Sequence, residues 1–431
     1  MAVLATAALV LGPGRERPSV GARVWGIPAA GATAFAFRLE TMERQFASDQ
    51  AVAVEPIDVT VSQGGRAIAT WRGSSGPDGV AEALLQSKEP IAGSIDVRVT
   101  SGKARLAEGT IPLPQAPRVQ IERRPIEGTA TGPVALAVEI ARGVLGSPFP
   151  GVVRVAARRD GAPAEGVEIA VKAEGAEIDA ASRGTLRTDA NGEAAIVLTP
   201  TWHSVDLDLS ARDPRRGDEA PSTWKGGLPV HPGALWLRPG AGSATVISPV
   251  PRDRIYVSAL SEKGRVFGAN VEVLRDATGL YTGTFATDDL TAKGAIAVTL
   301  AGDSQEVGSG TVTFPLASTL AVIAPPRIAL LSDGVPFAEK LEKKRAALAR
   351  LVSIGIAFVA AAFEGILLVL HSRESQAKLA AHLAEMAEDA EDRAAAKRMT
   401  APASSRAFTL VVLLGLVVLG FGAIAAFTVV R

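Results

Sequence analysis

Few residues in this chain are placed to do chemistry, and the clearest is a carboxylate. Glu364 interrupts a 20-residue apolar run, 351–370 (LVSIGIAFVAAAFEGILLVL). About 20 apolar residues in a helix span a bilayer core of about 30 Å. An ionised carboxylate inside such a run is costly, so it faces a partner, a protein interior or a proton path. On the same helix Ala357, Ala361 and Gly365 recur every four residues, a small-residue stripe that lets helices approach closely. A second uncharged run, 407–430, offers Gly422 and Ala426 in the same role. Glu364 is thus the candidate intramembrane polar site, with these five small residues as helix-packing positions. Two readings stay open: a protonated Glu364 that only hydrogen-bonds a neighbouring helix, or a proton- or partner-coupling site.

Other chemistry finds less support. His203 lies in Trp202-His203-Ser204-Val205-Asp206, where alternation puts Trp202, Ser204 and Asp206 on one strand face and His203 on the other with Val205 and Leu207. That pattern suits a packed or edge histidine better than a catalytic one. Neither a G-x-S-x-G elbow nor a P-loop is present, and the glycine-rich stretches read as turns between strands. Asp206 with Asp208, and Asp288 with Asp289, lack the dense oxygen-ligand spacing of a calcium loop and read as solvated carboxylates. Arg216-Gly217-Asp218 spells an integrin-type tripeptide, a length that recurs by chance. Trp25, Trp71, Trp202, Trp224 and Trp236 read as packing residues of sandwich cores. The chain has no cysteine, which excludes disulfides, thiol nucleophiles and cysteine-held zinc or iron–sulfur clusters. Its four histidines are scattered. No enzyme, metal or cofactor is therefore expected. Lysine plus arginine and aspartate plus glutamate both number 45 in the 431 residues, which argues against a general basic field for nucleic acid.

The elements that would position these residues are mostly strands. From 20 to about 316, short alternating runs sit between Gly, Pro, Asp and Asn clusters. Ile57-Asp58-Val59-Thr60-Val61, Ile95-Asp96-Val97-Arg98-Val99 and Val205-Asp206-Leu207-Asp208-Leu209 show the period of two expected of half-buried strands. Without helices between them, antiparallel sandwiches are favoured over a parallel α/β sheet. A repeat is visible: GVEIAV from Gly166 and GANVEV from Gly268 each precede a second glycine turn, at Gly192 and Gly294, by 26 residues. PIDVTV from Pro56 and the turn at Gly79 form a looser earlier copy. Proline-rich separators then divide the region into modules at 20–115, 116–230 and 231–316.

GTLRTDANGEAAIVLT, 184–199, resembles the late-strand hairpin of the bacterial immunoglobulin-like modules of invasin and intimin. Pro163 to Ile169 resembles their earlier strand entry, and YVSALSEKGRVFGANVEV resembles macroglobulin-type and other immunoglobulin-like sandwich repeats. The resemblance implies a mainly β chain of three tandem antiparallel immunoglobulin-like sandwiches, and a role as spacer, adhesive stalk or protein-binding unit.

The expected order is a possible signal or N-terminal segment (1–19), the three modules, a linker (317–346), a transmembrane helix (347–370), a helical loop (371–406) and a second transmembrane helix (407–430). Six basic residues flank the spans on each side, so the positive-inside rule gives a tie. The short apolar stretch in MAVLATAALVLGPG favours an exported β region. Leu379, Leu383 and Met386 fall on one helix face of the loop and are expected to pack on protein, with a bend near 388–392. The sequence thus suggests a non-catalytic binding or scaffold protein of the bacterial inner membrane, its β region periplasmic or extracellular, its partners the membrane and an unidentified protein. Two alternatives stay open: an accessory subunit of a membrane complex that uses Glu364, and an enzyme with an unrecognised site in a sandwich cleft.

Overall fold

Alternation becomes strands where the sequence places them. In the strand Ile57–Gln63 the side chains of Ile57, Val59 and Val61 are buried and those between them are half-buried. The strands Ser94–Ser101 and Ser204–Arg212 follow the same rule, with Ile95, Val97, Val99, Val205, Leu207 and Leu209 inward. A computed structural model of the chain describes residues 19–45, 48–114, 120–121, 125–308, 310–316, 323–324, 327–386 and 415. The chain divides into two units, residues 21–42 with 50–335, and residues 1–20, 43–49 and 336–431.

The first unit is mainly β and contains three sandwiches. Two sheets make the second sandwich. One has the order Ala135–Ile140, Gly151–Arg159, Glu193–Pro200, Ala176–Ile178, and the other Thr129–Thr131, Ser222–Pro229, Ser204–Arg212, Glu168–Glu174, Thr185–Arg187. Their antiparallel ladders enclose one core that includes Val153, Ile169, Ile196, Leu209 and Trp224. The third has Trp236–Pro239, Ser243–Ser248, Tyr281–Ala286 and Leu274–Arg275 against Gly264–Glu272, Arg254–Ser261, Ala297–Ala301 and Val312–Pro315, around Val246, Val257 and Leu300.

The hairpin at Gly192 shows why the Asp-Ala-Asn-Gly sequence turns. Asp189 Oδ1 accepts from the backbone N–H groups of Asn191 (2.9 Å) and Glu193 (2.8 Å). The Glu193 bond leads in holding this carboxyl below its ordinary value. Gly192 takes φ +73°, and a Cβ there would stand 2.5 Å from the Ala157 carbonyl oxygen. The 26-residue repeat, however, is not a structural one. Gly166 lies in a turn at φ +76°, whereas Gly268 lies inside the strand Gly264–Glu272, and Gly294 follows the short helix Asp288–Ala292 instead of closing a hairpin.

The first sandwich is closed from far away in sequence. Its sheets run Arg66–Gly73, Ile57–Gln63, Ser94–Ser101, Ala104–Pro112, and Ala329–Asp333, Ser19–Gly26, Ala34–Gln45, with Val80–Gln86 also on Ala34–Gln45. The strand Ala329–Asp333 pairs antiparallel with Ser19–Gly26, from Gly26↔Ala329 to Arg23↔Asp333. The segment 317–346, expected as a linker, therefore holds a strand of the first sandwich and the start of a helix. The second and third sandwiches are an insertion into the first, and the outgoing and returning chains pair at Gln120–Ile121 and Ile323–Ala324.

In the second unit the helix Val335–Met386 runs for 52 residues without interruption, about 78 Å at 1.5 Å per residue. The expected boundary between a span ending at 370 and a separate helical loop is thus not a break, for nothing at His371 or Ser372 stops a helix. Leu379 and Met386 are exposed on this chain. The expected bend near 388–392 lies outside the described residues. A transmembrane hairpin is not shown: among the described residues no helix is long and apolar enough to cross a membrane. Within 351–370 the side chains at 352–354, 356–358 and 360–361 are outside the described set, as is all of 407–430 except Gly415.

Candidate functional site

The densest polar chemistry of the β unit lies where the first and third sandwiches meet. The strand Ala34–Gln45 turns Phe35, Phe37 and Leu39 into its own core. The alternate face, with Ala36, Arg38 and Glu40, is buried as well. Arg38 stands directly across the ladder from Glu82 of Val80–Gln86, and its Nε donates to Glu82 Oε1 at 2.7 Å. The third sandwich supplies the rest. Arg38 Nη1 donates to Glu306 Oε1 (3.0 Å) and to the Ser304 carbonyl (2.7 Å), and Nη2 to the Val257 carbonyl and Ser258 Oγ (3.3 and 3.4 Å). The guanidinium also lies 5.1 Å from the centre of the Tyr256 ring.

A second arginine enters from Gly264–Glu272. Arg265 Nη2 donates to Glu82 Oε2 (2.7 Å) and its Nε to Ser258 Oγ (2.7 Å). Glu82 is thus gripped by both arginines, one at each oxygen. Ser258 receives from both and donates to Glu306. Two cations and two carboxylates make the cluster formally neutral, which is how a protein tolerates buried charge. Both arginine side chains are fully buried. They are not equivalent. Burial works against the charge of Arg38, but Glu82 and Glu306 outweigh it and hold the guanidinium above its ordinary value. Arg265 is pulled below its ordinary value by burial, which its Glu82 partner does not offset. Gly268 makes room for the cluster: a Cβ there would meet Arg265 Nη2 at 2.1 Å and Glu82 Oε2 at 2.2 Å.

Two smaller groups flank it. Asp78 Oδ2 accepts from the Tyr256 hydroxyl (2.9 Å) and Asn270 Nδ2 (2.6 Å), and Arg254 Nε lies 3.9 Å away. Burial, then the Asp78 charge, raises the Tyr256 phenol above its usual range. Glu40 accepts from Trp25 Nε1 (2.8 Å) and from the Ser304 hydroxyl. The arrangement positions and neutralises. Among the described residues, no group of three or more histidine, aspartate or glutamate side chains could hold a metal.

The residues singled out from sequence lie elsewhere. Glu364 and Gly365 are half-buried on the long helix, whose backbone also carries Ala357 and Ala361; Gly422 and Ala426 lie outside the described residues. Trp202, expected in a core, is 65% exposed in the turn before Ser204–Arg212, and its ring contacts that of His203 at 5.9 Å. His203 precedes the strand and is exposed, so it shares no face with the buried Val205 and Leu207. Trp224 is buried, as expected, and Trp25, Trp71 and Trp236 are half-buried. Asp208 pairs with Lys225 at 2.7 Å on a sheet face. Arg216 pairs with Glu219 at 3.2 Å, and Glu219 is itself held by Arg159 at 2.7 Å, so the loop of the Arg-Gly-Asp tripeptide is anchored by its own salt bridges.

Alternation concealed the cluster. Arg38, Glu40 and Glu82 occupy the positions that a one-sided strand gives to solvent, and only a second sandwich on that face turns them inward. The available signal was the small-residue company of Ala36 and Gly268.

No protein-family model matches the chain, and no curated protein matches it. Among solved structures it is similar to the D0–D1 domain of intimin over 47% of this chain and 93% of that one, with 16% identity and a TM-score of 0.17. It is similar to FdeC, an Escherichia coli adhesin, over 70% of this chain and 97% of that one (12% identity, TM-score 0.18). A Salmonella alpha-2-macroglobulin variant aligns over 71% of this chain and 23% of its own length (10% identity, TM-score 0.18). Scores of this size carry no argument about function, and the β-sandwich class rests on the ladders described above.

Proposed function

We propose that this chain is a membrane-anchored, non-catalytic binding or scaffold protein of a bacterial cell envelope, which holds a three-sandwich body outside the cytoplasm. The observation that carries the reading is the exterior of the helix Val335–Met386. Val359, Phe363, Ile366, Leu367 and Leu370 all stand exposed around it, within the apolar run 351–370. Large apolar side chains left contiguous and uncovered mark a surface that meets lipid or a partner. The β body, for its part, uses its buried polar groups to fasten one sandwich to another, which suits a scaffold. The immunoglobulin-like character of the sandwiches, the hairpin formed with 407–430 and the bacterial inner membrane as location belong to this reading.

In this orientation residues 20–340 lie outside the cytoplasm and 371–406 inside. Protease added to intact spheroplasts is expected to shave the β body and leave a protected C-terminal fragment. Full protection of the β body until lysis overturns the orientation.

A second reading, an accessory subunit of a membrane complex, is favoured by Glu364 alone, since carboxylates inside apolar helices lean functional. Glu364→Gln is expected to keep association with its helical neighbour through an amide hydrogen bond. Glu364→Leu should weaken it by about 1 kcal/mol, the scale of an interhelical hydrogen bond in a membrane. Unchanged native-gel migration and partner recovery for Glu364→Leu would leave the residue a passive role.

A further inference from the structure

The two contacts that the third sandwich makes are built from different chemistry. Toward the second sandwich it is apolar: Phe149 stacks on Trp236 at 5.4 Å, Val144 packs on the third core, and the Arg142 guanidinium caps Trp236 and Phe314 at 4.5 and 4.6 Å. Toward the first sandwich it is the four-charge cluster, the Asp78 and Glu40 groups, and a small apolar island of Ile27, Leu260 and Ile328. We propose that the contact between first and third sandwiches is a latch that opens and recloses as a unit, while the second and third sandwiches move together as one rigid arm.

Four observations carry this. The closed contact is incompletely satisfied: Arg265 Nη1 and Asn270 Oδ1 are buried without a protein hydrogen-bond partner, and opening would give both to solvent. Glu306, which reaches into the cluster, sits at φ +59° in a loop that Asp303 holds by accepting from the backbone of Gln305, Val307 and Gly308. A non-glycine residue in that region stores strain, a common property of switch segments. Among the described residues the charges are matched by each other, and such polar contacts between domains are the ones that open. Finally, the topology permits it. The arm leaves and re-enters the first sandwich through the paired strands Gln120–Ile121 and Ile323–Ala324, so both attachments lie side by side, as in a hinge. Among the described residues, opening breaks the isolated bridge Pro28↔Gly264 but no sheet ladder.

The chain has no cysteine, so spin labels can be placed at will in the full-length protein. Lys103→Cys with Leu274→Cys reports first against third sandwich, and Lys225→Cys with Leu274→Cys reports second against third. Pulsed dipolar spectroscopy is expected to give one distance for each pair in the otherwise unaltered chain at low salt. Glu82→Gln, which removes the charge both arginines share, should raise the open-to-closed ratio at least tenfold. The change should appear as a second, longer distance in the 103–274 pair while the 225–274 pair keeps its single distance. Added sodium chloride should increase the longer population further. Tyr256→Phe, which loses only the bond to Asp78, should open the latch severalfold and stands in if Glu82→Gln does not fold. A 103–274 distance that stays single in the folded variants overturns the latch. So does simultaneous broadening of both pairs, which would make the contact part of a common core.

Discussion

Replacement of Arg38 by leucine is expected to destabilise the β body by about 3–5 kcal/mol, because removing one member of a buried ionic group leaves its partners uncompensated. Glu82 would keep one arginine of two, and Glu306 would lose the one cation that pairs with it directly among the described residues. The measurement is a denaturant titration, with the midpoint shift read at an unchanged slope. The informative companion is a chain in which all four charges go together: Arg38→Met, Glu82→Leu, Arg265→Met and Glu306→Leu. Replacing a whole buried ionic group by apolar side chains is often neutral or stabilising. The fourfold variant should therefore be far less damaged than Arg38→Leu alone. If the single substitution costs less than about 1 kcal/mol, the range of a solvated surface pair, the cluster is not the closed contact described here.

Gly334→Val should be nearly as harmful, at about 3 kcal/mol, the upper end for overpacking. A Cβ at Gly334 would lie 1.7 Å from the Leu106 carbonyl oxygen and 2.9 Å from that of Ala22, and neither is a side chain that can turn away. The same glycine donates its N–H to the Ala22 carbonyl at 2.8 Å. The closing strand Ala329–Asp333 would have to back off from Ser19–Gly26. Hydrogen exchange should accelerate at Arg23 and Val24 while Leu207 and Leu209 of the second sandwich keep their protection. Equal acceleration in both places would mean that the three sandwiches unfold as one cooperative block.

These two positions also mark what could and could not be read in the residues. Strands such as Ile57–Gln63 and Ser204–Arg212 declare themselves, because one face meets a core and the other meets water. Ala329–Asp333 does not: five residues, ALLSD, beyond a proline pair carry too little alternation, and the partner lies about 300 positions earlier. Arg38 and Glu82 obey the period of two and still mislead, since the face they occupy is covered by a sandwich whose arrival no local pattern announces. Trp202 fails for a related reason: it falls two residues before the strand, so its size argued for burial while its turn put it in solvent. The unbroken helix through His371 is the opposite case. An apolar run and a helix are different objects, and the run's end at Leu370 carries no glycine, proline or capping sequence that would end the helix too.

The return of the chain into its first sandwich decides how the body bears load. Ser19–Gly26 and Ala329–Asp333 are antiparallel neighbours, with Arg23 beside Asp333, so Gly21 and Val335 leave the pair at the same end. Tension between those two points peels the rungs one after another from Arg23↔Asp333 toward Gly26↔Ala329, and does not shear them all at once. Residues 113–328, with two of the three sandwiches, hang outside that line. Force applied between Gly21 and Val335 is thus felt by one small sheet edge, and everything inserted beyond it travels as unstressed cargo.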